Sequence, residues 1–261
     1  MFSNEARVQY SKNQLGEVIC QLRFPEILTI EANIPAAFQE TIRDEFPLYS
    51  VRKEAPLPKL TGAPGQLQLE KQPQMNNYQF VSADGVWRVN LTSRFISLAC
   101  NRYTTWEDFA AKLDKPLVAF IQIYRPAFFE RVGLRYFNFI SRSALALGVT
   151  PWRELIQPQY LGLLADEQLQ ETAAARNTVD AEVAICGGCR AKIHAGPGLV
   201  KRGGQEDKEV KFIFDQDLFM PGKVAVNLVA GALQTLHDQA DSIFRGAITD
   251  TLHDAMEPQF I

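Results

Sequence analysis

Two cysteines and a histidine form the residue set in this chain that could do the most specific chemistry. Cys186 and Cys189 are separated by two glycines, and His194 follows shortly after them. Thiolates at this spacing beside an imidazole suit zinc, but a structural zinc site normally has four such ligands. A redox pair is the alternative, although the helix start that lowers a thiol pKa in thioredoxin-like sites is missing. Because a Gly-Gly turn between two strands explains the spacing without chemistry, the sequence favours a plain hairpin.

A histidine in the last helical stretch is the second candidate. His237 lies one turn before Asp241, so the carboxylate could orient the imidazole for acid–base catalysis. The favoured interpretation is that His237 only satisfies a hydrogen bond, because no serine or cysteine is evidently partnered with it as a nucleophile. Asp215 and Asp217 precede this helix and could bind a divalent cation if a third carboxylate joined them. Acidic residues at such a joint more often cap the following turn.

A group of arginines is the third candidate. Arg131 and Arg135 should share one face of a strand, with Arg142 beyond them. A sheet face of this kind could contact RNA or DNA through charge and base stacking. The net charge of -3 gives no general attraction to nucleic acid, so contact with a protein or salt bridging is favoured.

The hydrophobic pattern predicts the elements that position these residues. Period-two alternation predicts strands at residues 15–24, 78–80, 87–91, 96–100, 132–140 and 210–215, and a hairpin over 181–194. Three-and-four spacing predicts helices that begin at Pro35, at a Thr104–Glu107 capping box, at Thr150-Pro151 and near Val229. The stretch 52–66 is predicted to be a loop because it is rich in proline and glycine.

This order of elements predicts an α+β protein. We expect antiparallel β-sheets covered by helices, closed by a long C-terminal amphipathic helix that runs to Met256. A single domain over residues 1–261 is expected. Because each half places a strand meander before a helix, a duplication into sub-halves 1–145 and 146–261 is the alternative.

Composition narrows the class of protein. A hydrophobic content of 46% with 22% charged residues is typical of a folded protein with a core. No apolar run approaches the length of a membrane span, and the first residues do not have the pattern of a secretory signal. Four cysteines in 261 residues are typical of reduced thiols. We therefore expect a cytoplasmic protein with no membrane contact and no cofactor.

Four parts of the chain are similar to the start, middle and end signatures of one protein family. They are the segment Tyr10–Phe24, the run Arg131–Asn138, the step Phe214–Asp217, and Leu236-His237 with Phe244 and Ile248-Thr249. The chain resembles an uncharacterised, sporadically distributed prokaryotic family of similar length, and the resemblance covers essentially the whole chain. The resemblance implies that the chain folds as one unit and that it is a cytoplasmic protein of a prokaryote. It transfers no catalytic residue, and the family's patchy distribution resembles that of mobile-element and defence genes.

These observations predict a non-catalytic protein-interaction module, an accessory in a mobile-element or defence system. Its partner is expected to be another protein or a second copy of the chain, with Ile243 and Phe244 helping to form a homodimer. A nucleic-acid-binding accessory that uses the arginine face is the first alternative. An enzyme assembled from the histidines or the cysteine hairpin is the second.

Overall fold

The structure is a computed structural model that describes residues 2–3, 5–54, 59–61, 68–70, 74–202 and 205–260. The strands in the first half of the chain are β1 (Val8–Tyr10), β2 (Leu15–Arg23), β3 (Leu48–Glu54), β4 (Lys59–Thr61), β5 (Gln68–Glu70), β6 (Met75–Val81), β7 (Trp87–Leu91) and β8 (Phe95–Cys100). Those in the second half are β9 (Phe129–Ile140), β10 (Val179–Ala184), β11 (Arg190–Gly198), β12 (Lys201–Arg202), β13 (Gln205–Glu206), β14 (Lys211–Val224) and β15 (Pro258–Phe260). The α-helices are α1 (Leu28–Ala32), α2 (Ala36–Ile42), α3 (Trp106–Tyr124), α4 (Val229–Ala247) and α5 (Asp250–Ala255).

Nine of the strands form one antiparallel sheet in the order β10-β11-β14-β9-β2-β8-β7-β6-β3. Two units of similar connectivity meet where β2 pairs with β9. In the first unit the chain leaves β2, returns through a meander whose last strand, β8, pairs with β2, and continues into α3. In the second unit it leaves β9, returns through a meander whose last strand, β14, pairs with β9, and continues into α4. The prediction of an α+β protein with antiparallel sheets is confirmed. In this connectivity the second unit begins with β9, ahead of the predicted division at residue 145.

The helices pack on one face of the nine-stranded sheet. Strand β2 shows the reason: Val18, Cys20 and Leu22 are buried against the helices, and the residues between them, Ile19 and Gln21, lie on the other face and are partly exposed. Helix α3 packs Phe120 against Phe24, with ring centroids 4.7 Å apart, and α2 packs Phe38 against the sheet. Helix α4 covers β9 and β14 beside them. The resulting core is continuous from α2 to α4.

Several local predictions are corrected by the structure. The stretch after Thr150-Pro151 forms short 3₁₀ turns over 152–154, 158–160, 162–165 and 171–173 rather than an α-helix. The final helix is interrupted at Ile248, whose extended backbone bridges to Ile156 before Thr249 caps α5. Part of the predicted 52–66 loop lies within β3 and β4, and the remainder falls outside the described residues.

Candidate ligand cavity beneath the N-terminal strap

Three polar residues occupy helix-facing positions of the sheet, where the pattern otherwise places apolar side chains. Tyr136 and Asn138 lie in the same buried row of β9 as Leu134 and Ile140, and Gln216 lies in the same buried row of β14 as Phe214. Gln216 lies directly opposite Tyr136 in the β14–β9 pairing. All three are at most 4% exposed. Polar groups at core positions are expensive unless something bonds to them, and a conflict of this kind between pattern and burial is typical of functional sites.

Helix α4 brings His237 onto the same patch. The His237 Nδ1 atom lies 2.7 Å from the Tyr136 hydroxyl, and the imidazole stacks on Trp106 with ring centroids 4.7 Å apart. Trp106 is the first residue of α3, which begins there because the Thr105 side chain accepts a hydrogen bond from the Asp108 amide. The Trp106 indole donates to Gln234 at 2.8 Å, which ties the start of α3 to α4. The predicted cap at Thr104 is therefore displaced by one residue.

Residues 5–13, which we call the strap, lie between the start of α3 and the middle of α4. Arg7 contacts Asp241 through Nε at 3.2 Å and Glu107 through Nη1 at 3.4 Å. Tyr10 lies in β1, which pairs with β15, and its hydroxyl is 2.8 Å from Nδ1 of His253. Asn13 donates to the Tyr103 carbonyl at 3.3 Å. The strap is thus fixed to both helices.

A cavity of about 250 Å³ lies under the strap. Its apolar lining comes from Val8, Leu15, Trp106, Ala240, Phe244 and Met256, and its polar lining includes Arg7, Tyr103, Tyr136, Asn138, Gln216, His237 and Asp241. This is roughly the volume of eight liquid water molecules at ~30 Å³ each. A cavity with mostly apolar walls and a few converging polar groups is the usual form of a small-molecule site.

Two buried polar atoms in this wall have no hydrogen-bond partner among the described residues: His237 Nε2 and Gln216 Oε1. Each belongs to a side chain that is only 3% exposed. Leaving a buried donor or acceptor unpaired costs about 1–3 kcal/mol. Two such atoms on residues that line one cavity make this the place where a bound molecule or an ordered water would relieve the largest local cost.

The ionisable groups of the cavity are strongly perturbed. Burial lowers the pKa of His237 to about 3, and the positive charge of Arg7 acts in the same direction, so the imidazole is neutral at physiological pH. Burial raises the pKa of Asp241 to about 6 against the opposing effect of Arg7. Burial also raises the pKa of Tyr136 well above its ordinary value, so Tyr136 remains a phenol. The predicted His237–Asp241 pairing is absent among the hydrogen bonds of the described residues: His237 contacts Tyr136, and Asp241 pairs with Arg7.

The opposite face of the sheet carries the predicted arginines. Arg131 and Arg135 share that face, and each is paired with an aspartate of β14. Arg135 makes two contacts to Asp215, at 2.8 and 2.6 Å, and Arg131 contacts Asp217 at 2.6 Å. The two carboxylates predicted as cation ligands are thus partners of the two arginines predicted as nucleic-acid contacts. Arg131 and Asp217 are each less than a quarter exposed, so their charges are largely engaged within the protein.

Arg142 lies apart from that pair, beyond the end of β9. It contacts the Thr150 carbonyl and Glu171, and its guanidinium lies 4.2 Å from the Trp152 ring centroid. It therefore supports the 3₁₀ segment rather than extending the arginine face.

The cysteine hairpin has the predicted form, with Gly187 and Gly188 at positive φ between β10 and β11. Cys186 is exposed whereas Cys189 is buried, and His194 points to the opposite face, where it contacts Asp180 at 2.6 Å. Within the described ranges, no group of three histidine, cysteine or acidic residues has a geometry that could hold a metal ion. The structure does not bring Cys186, Cys189 and His194 together.

The predicted dimer contact is corrected for one of its two residues, Ile243. Ile243 is fully buried, and Phe244 packs against Tyr10 and Phe214 with ring centroids 6.1 and 6.0 Å away. Ile243 is therefore part of the core and is not available to a second copy, whereas Phe244 is partly exposed and the homodimer stays a prediction.

Comparison with known proteins adds no family assignment. No protein-family model matches the chain, and no curated protein is significantly similar to it. The resemblance to an uncharacterised prokaryotic family therefore stays a prediction. In the part of the chain that the structure describes, every helix is too short or too polar to cross a bilayer.

The sequence interpretation missed the roles of Arg7, Tyr103, Trp106, Tyr136, Asn138 and Gln216 in this site. Two signals were available. Gln216 interrupts the apolar row Phe212, Phe214, Leu218, and Asn138 interrupts the row Leu134 to Ile140. A polar residue in phase with a buried row is a local conflict of the kind that functional sites produce.

Proposed function

We propose that this protein is a non-catalytic binding module whose ligand site is the cavity beneath the strap. The observation that carries the proposal is the pair of buried, unpartnered atoms in one wall, His237 Nε2 and Gln216 Oε1. A small molecule that bonds to both atoms would offset a cost that the unliganded protein otherwise bears.

The chemistry of the lining supports binding over catalysis. With a pKa of about 3, His237 is a hydrogen-bonding group at neutral pH and a poor general base. No cysteine, serine or lysine is among the described residues that line the cavity, and the carboxylates that could act as a base there, Asp241 and Glu107, are both in contact with Arg7. The alternative of an enzyme therefore has less support than that of a binding protein.

A fragment screen with two matched helix variants tests the proposal. Ala240 lines the cavity at 2% exposure, so Ala240→Leu would fill part of the space. Ala230 lies on the same helix and is exposed, so Ala230→Leu is the control. We expect fragments of about ten heavy atoms to bind the wild type and Ala230→Leu and to lose at least tenfold in affinity for Ala240→Leu. Equal binding to all three proteins, or to none, would contradict the proposal.

A protein partner is the second proposed function, and the outer strands of the large sheet favour it. Strand β3 is exposed along its whole length, with Tyr49 and Val51 each nearly half exposed. Within the described residues β3 is the outermost strand of the sheet, so one row of its backbone groups is open to pairing with a further strand. Strand β10 ends the other edge, with Asp180 and Glu182 exposed.

A pull-down from the host with mass spectrometry tests this second proposal. Val51→Asp places a charge on β3, and Val118→Asp does the same on α3 at a valine of similar exposure. Loss of a stoichiometric protein partner with Val51→Asp alone is the expected result. Retention of that partner by both variants would contradict binding along β3.

Nucleic-acid binding, cellular location and biological role are the remaining parts of the proposal. Binding to nucleic acid has less support, because Arg131 and Arg135 are already paired with aspartates. A 260/280 nm absorbance ratio that is high in the pull-down eluate and falls with salt would reverse that preference. The four unpaired cysteines support the proposed cytoplasmic location. The proposed role as a prokaryotic defence accessory has only the family resemblance as support.

A further inference from the structure

The two unpartnered atoms converge on one wall of the cavity. Gln216 and Tyr136 face each other across β14 and β9, a pairing that puts side-chain origins about 5 Å apart on the same sheet face. Tyr136 in turn contacts His237 at 2.7 Å. Gln216 Oε1 and His237 Nε2 each have under 1 Å² of accessible surface, so a single small molecule bonds to both only where the surrounding side chains shift to admit it.

The hydrogen-bonding groups of Gln216 and His237 determine which donors and acceptors a ligand must carry along the edge that faces them. A glutamine amide offers a donor and an acceptor side by side, which matches an edge with an adjacent acceptor and donor. A neutral imidazole bonded through Nδ1 offers one further donor or acceptor at Nε2. This wall of the cavity therefore matches a ligand group in which a hydrogen-bond donor lies beside an acceptor, as in an amide or an amidine.

The charge of the cavity excludes strongly charged ligands. Arg7 is the cation of the lining, and it is contacted by the carboxylates of Asp241 and Glu107. An anionic ligand would lose its hydration without finding a free cation, and a cationic ligand would have to compete with Arg7 for Asp241 and Glu107, so either costs more to bury than a neutral one.

The remaining walls favour a flat ring. Tyr103, Trp106 and Phe244 contribute aromatic surface to the cavity. Aromatic side chains pack well against rings in stacked or edge-to-face arrangements.

We infer that the cavity takes an uncharged heteroaromatic ring whose edge carries a hydrogen-bond donor beside an acceptor, the class that includes nucleobases and ring carboxamides. This inference rests on the proposed function, since it names the class of molecule that the cavity binds. Gln216 recognises the donor–acceptor edge and His237 contributes the third hydrogen bond.

Calorimetric titration of the full chain with four probes tests the inference. Adenine and nicotinamide carry the expected edge, toluene has a ring without polar groups, and benzoate has a charged one. We expect adenine or nicotinamide to bind at least tenfold more tightly than toluene and benzoate.

Matched glutamine variants identify the residue responsible. Gln216→Leu and Gln216→Met should each lower the affinity for the preferred probe at least tenfold, and Met keeps the unbranched shape if Leu disturbs folding. Gln21 lies on β2 at the face opposite the core, so Gln21→Leu should change the affinity less than twofold. An unchanged affinity in folded Gln216 variants would overturn the assignment of Gln216.

The outcomes separate this inference from the proposed function. If toluene or benzoate binds most tightly and Ala240→Leu blocks that binding, the cavity is a ligand site but the ligand class is wrong. If none of the four probes binds the wild type while other fragments of the screen do, the class is again wrong. If nothing binds at all, both proposals fail.

Discussion

The hydrogen bond between Tyr136 and His237 provides the sharpest test of the buried network. Tyr136→Phe removes only the hydroxyl and keeps the ring, so the change creates little space. The substitution removes the hydrogen-bond partner of His237 Nδ1, and His237 is only 3% exposed. Its other ring nitrogen, Nε2, already has no partner among the described residues. Loss of one partner of a buried hydrogen bond costs about 1–3 kcal/mol, and we expect the free energy of unfolding to fall by that amount.

Tyr160 provides the matched control. It is also 4% exposed, but its hydroxyl has no hydrogen-bond partner within the described part of the chain. Tyr160→Phe removes an unsatisfied group, so it should leave the free energy of unfolding unchanged or raise it.

Urea denaturation at pH 7.5 measures both variants, because His237 is neutral there and the slope of the transition reports whether two-state behaviour is retained. In a domain of this size each kcal/mol moves the melting temperature by roughly 2–4 °C, which gives an independent check. Equal effects of the two substitutions, or a larger loss with Tyr160→Phe, would refute the account of the network.

Three further predictions follow from single contacts. The pKa of His237 is about 3 in the folded state and about 6.5 when unfolded, so the stability that this group contributes is complete above pH 6.5 and is lost as the pH falls towards 3. The raised pKa of Asp241 acts in the opposite direction below about pH 6, so the test is the difference between wild type and His237→Asn in urea titrations, and the wild type should lose more stability on acidification. Arg135→Gln leaves the nearly buried carboxylate of Asp215 uncompensated and should cost about 1–2 kcal/mol in urea denaturation, whereas Arg43→Gln, which breaks an exposed pair, should stay within about 0.5 kcal/mol; equal costs would contradict the pairing argument. Cys186 is the exposed cysteine of the four, so Ellman's reagent should titrate one thiol rapidly in the native protein and four after denaturation, and two or more rapid thiols would contradict the hairpin geometry.

Strands and hairpins could be predicted because their signals are local. Asp84-Gly85 and Gly187-Gly188 supply turn residues at the points where alternation stops, and both hairpins are confirmed. The 3₁₀ stretch after Thr150 could not be predicted, because its apolar residues are fixed by contacts from afar, such as Trp152 against Phe212 with ring centroids 5.4 Å apart. The break at Ile248 likewise depends on a bridge to Ile156.

The site was predicted only in part because its members are distant in sequence. The spacing of His237 and Asp241 correctly placed both on α4 near one site. It could not show that the imidazole contacts Tyr136 in β9 while the carboxylate contacts Arg7 in the strap. Both partners come from other elements, so helix periodicity carries no information about them. The sharing of one face by Arg131 and Arg135 followed from strand alternation, but their neutralisation by β14 required the strand order.

A crystal structure of the full chain grown with the tightest-binding fragment from the screen tests the central claim most directly. The account predicts electron density for the fragment beneath the strap, with polar atoms within hydrogen-bond distance of His237 Nε2 and the Gln216 amide. A fragment bound outside the cavity would contradict it, and so would a structure in which these two groups turn to bond with protein atoms and close the space.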